Sequence, residues 1–120
     1  MKIYTSYYKK FSMCPSAMIP VRISNGVPIW FTEHLEEMPE VYPGWDLVRN
    51  YRDGLIDWTR YTEVYLEKLN KVGRDAILER LREISKERQD RDICLLCFEK
   101  DGNCHRHILA EFLDCDIEEF

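Results

Sequence analysis

At 120 residues the chain has room for one hydrophobic core, and 45% hydrophobic residues with three Trp, seven Tyr and five Phe exclude a disordered polypeptide. A net charge of −5 argues against nucleic acid as a partner along a broad phosphate-contacting surface, which needs a basic excess. No apolar run approaches the roughly 20 residues of a membrane span. No leader is visible at Met1-Lys2-Ile3, so the five cysteines read as reduced thiols in a cytoplasmic protein with one domain over 1–120. Nothing in the pattern speaks to oligomeric state, and no cofactor is expected.

The charge is unevenly spread. Residues 1–32 hold Lys2, Lys9, Lys10 and Arg22 and no acidic residue, whereas residues 111–120 hold five acidic residues and no basic one. A locally positive N-terminal part on an acidic chain suits a focused anion site.

In chain order, residues 2–8 are β-branched and aromatic and predict a first strand. If it runs parallel to the strand at 93–98, then Tyr4, Thr5, Ser6, Tyr8 and Lys9 bring hydroxyls and charge to one pocket. Residues 11–28 read as loop, with Pro15, Pro20, Gly26 and Pro28. Within them 18–24 predicts a second strand, whose Arg22 calls for a carboxylate or a ligand. Residues 30–42 read as a surface segment. Helices are predicted at 45–52, at 58–71 behind the N-cap Asp57, and at 75–88 after Gly73. The aromatic stripe Trp58, Tyr61, Tyr65 and the apolar stripe Ile77, Leu81, Ile84 are core faces.

Residues 93–98 (Ile-Cys-Leu-Leu-Cys-Phe) form an apolar run that suits a strand covered on both faces. Asp101-Gly102-Asn103 is turn chemistry, and Ile108, Leu109, Phe112 and Leu113 mark one face of a helix at 105–114. Open α/β sheets bind ligands outside the carboxyl ends of their strands, and a helix N-terminus there favours anions. Arg106 adds a forked donor. Cys104, at the helix start, is a candidate nucleophile with His105 as base; Glu99 is a candidate general base. Cys97 sits at the strand end. Cys94, Cys97 and Cys104 invite a zinc reading, but residues three apart on a strand point to opposite faces, so no metal is assigned.

The sequence Leu95-Leu96-Cys97-Phe98-Glu99-Lys100 followed by Cys104-His105-Arg106 resembles the signature of the domain-of-unknown-function 488 family. Tyr4-Thr5-Ser6-Tyr7, Tyr51-Arg52-Asp53-Gly54 and Tyr61-x-x-x-Tyr65-x-x-x-Leu69 extend the similarity over nearly the whole chain. The resemblance implies a compact α/β domain in which Cys97, Glu99, Cys104, His105 and Arg106 belong to the motif. It implies no activity.

The fold expected is a small three-layer α/β domain with a mainly parallel sheet flanked by helices. The function expected is binding or turnover of a small anionic ligand, a nucleotide or phosphorylated metabolite, at the junction 97–106. Glu99, Cys104 and His105 are the candidate catalytic groups. Arg106, Cys97, Thr5, Ser6, Tyr8, Lys9 and Arg22 are the candidate ligand-binding groups. Two alternatives stand beside it: an interaction module in which Glu99 pairs Arg106 as a structural clasp, and a zinc-stabilised domain.

Overall fold

The computed structural model describes residues 1–14 and 16–120; Pro15, expected in the first loop, lies outside them. Five strands form one sheet: β1 (Ile3–Tyr7), β2 (Ile19–Arg22), β3 (Glu36–Glu37), β4 (Ile93–Cys97) and β5 (Ile117–Glu119). Their spatial order is β3-β2-β4-β1-β5, and every pairing is parallel. The centre is β4, with Ile93 in register with Ile19 on one side and Ile3 on the other. All five of its residues are 0% exposed, as an unbroken apolar run in a parallel sheet requires.

Alternation along β4 divides the core. Ile93, Leu95 and Cys97 face a large cluster built from α2 (Trp45–Arg52), α3 (Trp58–Val72), α4 (Arg74–Glu87) and α5 (His105–Leu113). Cys94 and Leu96 face a smaller cluster closed by α1 (Tyr8–Met13), Phe31 and the partly buried Phe120. The three layers are therefore unequal. Four helices cover one face, and one short helix with loop segments covers the other.

Local sequence explains the helix ends near the site. The Asp57 carboxylate accepts the Arg60 N–H at 2.8 Å and caps α3. Gly73, at φ +95°, ends α3 and starts α4, a turn that a side chain would resist. The predicted strands and four long helices lie within one or two residues of their expected bounds. Three elements differ. Tyr8 opens α1 rather than ending β1, because burial of Tyr8 and Phe11 one turn apart outweighs their strand preference. The segment at 30–42 carries β3 and a 3₁₀ turn at Pro39–Val41, whose Met38 and Val41 are buried. The acidic tail pairs with β1 as β5, short and charged as an edge strand should be. No helix among the described residues is long and apolar enough to cross a membrane.

Candidate functional site

The carboxyl end of β4 leads through residues 98–104 into α5, and the Cys97 and Cys104 sulfurs meet there. Cys104 is the residue that precedes the first turn of α5 and is 2% exposed. Cys14, Cys94 and Cys115 are free. The strand end and the helix start bring the Cys97 and Cys104 sulfurs together across the loop. Cys94 points to the other face, and burial pushes its thiol up to about 12.

His105 is buried, and its Nε2 lies 2.7 Å from the Ile23 carbonyl. A carbonyl only accepts, so Nε2 carries the proton and Nδ1 is bare. Nδ1 lies 4.0 Å from the Cys104 sulfur. Burial lowers the His105 pKa to about 4, against a smaller opposing effect of the Ile23 hydrogen bond. The ring is therefore neutral at pH 7. Its bare Nδ1 faces the Cys104 sulfur.

Arg106 is 2% exposed, and its guanidinium is spent. Nη1 donates to the Cys97 sulfur at 3.0 Å and to the Glu99 carbonyl; Nη2 donates to the Lys100 carbonyl at 3.2 Å. The Glu119 carboxylate of β5 takes two further bonds, from Nε at 3.2 Å and Nη2 at 3.0 Å, and also accepts from the Thr5 hydroxyl at 2.6 Å. The expected Glu99–Arg106 carboxylate pair is not formed. Glu119 pairs with Arg106, while Glu99 offers it only a backbone carbonyl and leaves its own carboxylate exposed.

The site opens into a cavity of about 180 Å³. Its walls are Trp45 and Tyr51 of α2, Trp58 and Tyr61 of α3, and Phe98, with Pro43 and Val48 between them. Glu99, Asn103, Cys104 and His105 form the wall that carries the titratable groups, and Ser24, Asn25 and Gly26 complete the lining. Trp58 and Tyr61 are stacked at 4.6 Å. Burial, then the Glu99 carboxylate, raises the Tyr61 phenol well above its ordinary range. Gly26 lets the Trp45 ring approach: an added Cβ would sit 3.3 Å from it.

The remaining expected residues lie outside this cavity, so the single pocket expected to gather Tyr4, Thr5, Ser6, Tyr8 and Lys9 is not formed. Arg22 pairs with Glu37 at 2.7 Å and lies over the Tyr42 ring. Lys9 is exposed on α1. Ser6 is buried on the opposite face of the sheet and approaches the Phe120 carbonyl at 3.4 Å. The Tyr8 hydroxyl shares a 2.7 Å hydrogen bond with Ser24, one step behind the wall. Among the described residues no Lys or Arg lines the cavity, and Glu99 is its one formal charge. The aromatic stripe of α3 reads from sequence as a core face; a stripe's period shows that a face is covered, not that a gap is left in the covering.

The Cys97, Glu99 and Cys104 donor atoms lie within 4.8 Å of one another. That gives three of the four ligands of a zinc site, but the Arg106 guanidinium donates to one of the sulfurs at 3.0 Å. Cys94 contributes nothing to the group.

A five-stranded parallel sheet with its reactive groups at the carboxyl end of the central strand defines a small α/β domain with a strand–loop–helix site. The chain belongs to the DUF488 family: the model of DUF488-N3a, described as the active DUF488-N3 subclade, matches residues 16–116. No curated protein matches the chain, and no solved structure does.

Proposed function

We propose that the chain is an enzyme acting on a small ligand held at the junction 97–106, with Glu99 as general acid–base and the reduced Cys104 thiol as nucleophile. One observation carries this reading: the Glu99 side chain, Cys104 and His105, whose Nδ1 is bare, line one wall of one cavity. Such a convergence of titratable groups in a cleft at the carboxyl end of a parallel sheet is the usual form of an α/β active site. The family's description as an active subclade supports it. In this reading His105 accepts the Cys104 S–H and orients it. Arg106 is a positioning residue: it fixes the loop that carries Glu99 and touches no ligand. An anionic ligand, as expected from the sequence, has no side-chain cation to meet in the cavity and depends on the N–H groups at the start of α5.

A second reading is favoured by the Arg106 contacts themselves. Five donations to the loop, Cys97 and Glu119 are what a purely structural clasp needs, and the domain would then be an interaction module. Alkylation of the reduced, folded chain, followed residue by residue by mass spectrometry, separates the two. The enzyme reading expects Cys104 to react in the native state well before Cys94. It also expects Glu99→Gln to speed that reaction at neutral pH, because a lost negative neighbour eases thiol ionisation. Modification of Cys104 only after unfolding would leave the clasp.

A further inference from the structure

The cavity's lining is informative about what fits it, and this inference rests on the function proposed above. We propose that the part of the ligand seated in the cavity is a six-membered nitrogen heteroaromatic ring of a nucleoside, uncharged or cationic, with no phosphate inside. Size is the first argument. At about 180 Å³ the space is a little larger than the roughly 150 Å³ apolar cavity that holds one benzene ring. Shape and chemistry are the second. Trp45, Tyr51, Trp58, Tyr61 and Phe98 supply flat faces on which a planar ring gains stacking energy, more so if it is cationic.

Charge is the third argument. Glu99 is the one formal charge on the walls, His105 is neutral, and Arg106 is engaged elsewhere, so a dianionic phosphate would enter a cavity of its own sign. Polar groups are the fourth. The Asn25 Oδ1 accepts the Gly44 N–H at 2.8 Å, so its amide nitrogen remains to donate. The Asn103 amide nitrogen donates to the Tyr51 hydroxyl at 3.0 Å, so its oxygen remains to accept. One amide donor and one amide acceptor suit the mixed edge of a nitrogen heterocycle. A carboxylate at the mouth suits the vicinal hydroxyls of a ribose, which a carboxylate reads in dinucleotide sites. Pyrimidine and pyridinium nucleosides share this chemistry.

The test is calorimetric titration of the full chain with cytidine, uridine, nicotinamide riboside, cytidine 5′-monophosphate and inorganic phosphate, with the three indole N–H signals followed by NMR. The expected result is saturable binding of at least one nucleoside that shifts the Trp45 and Trp58 signals and leaves Trp30, which lies outside the cavity, in place. Cytidine should bind at least tenfold tighter than its monophosphate, and Trp45→Ala, at an exposed position, should weaken nucleoside binding at least tenfold. Preference for nicotinamide riboside would identify a pyridinium ring, and preference for cytidine or uridine a pyrimidine. Tighter binding of the monophosphate or of inorganic phosphate would overturn this inference and leave the proposed enzyme standing. No movement of either indole by any nucleoside would overturn it too, and native alkylation of Cys104 then decides the enzyme reading separately.

Discussion

Replacing Arg106 with Met should be the most damaging single change at this site, and its size follows from what the guanidinium touches. The side chain is 2% exposed and satisfies the Glu99 and Lys100 carbonyls, the Cys97 sulfur and the Glu119 carboxylate. Breaking a fully buried pair costs about 3–5 kcal/mol, whereas an exposed pair contributes about 0–1. This pair is lopsided, because the Glu119 side chain is 43% exposed and can rehydrate. The loss for Arg106→Met therefore comes mainly from the stranded loop carbonyls and the vacated polar site, about 3 kcal/mol in all. Glu119→Gln keeps an acceptor for Arg106 and should cost about 1 kcal/mol. Urea unfolding of both variants reads this as a midpoint shift of roughly 2 M for Arg106→Met at an m-value of about 1.5 kcal/mol/M, and a third of that for Glu119→Gln. Equal losses, or a loss under about 1 kcal/mol for Arg106→Met, would refute the clasp as described.

Stability should fall with acid in a way that His105 dominates at first. Its pKa is about 4 when folded and 6.5 as a free residue, so the unfolded chain binds the extra proton. Its contribution of about 3 kcal/mol is complete above pH 6.5 and is lost as the pH falls from 6.5 towards 4; His105→Gln should flatten the urea midpoint between pH 6.5 and 5, and an unchanged slope would count against the buried neutral ring. The buried Tyr65 hydroxyl donates to the Val41 carbonyl at 2.6 Å, so Tyr65→Phe should lower stability by about 1–2 kcal/mol in the same assay. Gly73→Ala forces a Cβ into the φ +95° turn between α3 and α4 and should cost about 1–3 kcal/mol, seen as a lower melting temperature.

How far the sequence carries depends on the kind of signal. The β4 run and the long helices announce themselves because burial on two faces, or on one helical face, leaves a period in the residues. Short elements leave none: α1 has six residues, β3 two and β5 three, and each exists because a neighbour pairs or covers it. The motif residues Cys97, Glu99, Cys104 and His105 are legible as a group, since they sit within nine positions of one strand–loop–helix unit. What Arg106 does is not legible. Local spacing offers Asp101 or Glu99 as partners, and β5 brings Glu119 to it only through its pairing with β1. Arg22 is the converse case: an arginine in an apolar strand asks for a carboxylate, and the parallel neighbour β3 supplies Glu37 in register.

On the function proposed above, holding and reacting fall to different side chains that the motif places side by side. Were Arg106 free, its charge would dominate the cavity mouth and favour phosphate; neutralised by Glu119 and turned to the loop, it leaves Glu99 to set the sign. The reactive wall comes from residues 99–105, but the opposing walls come from α2 and α3, which contribute no group able to react with a ligand covalently at neutral pH. Selectivity should therefore be separable from reactivity. Trp45, 66% exposed and free of the core cluster, is the position where the separation is cleanest. Trp45→Ala should leave the rate of native Cys104 alkylation within about twofold of the parent, a difference of about 0.4 kcal/mol, while it weakens nucleoside binding tenfold. A parallel loss of both would mean that α2 shapes the thiol's surroundings directly, and the division of labour drawn from the structure would fail.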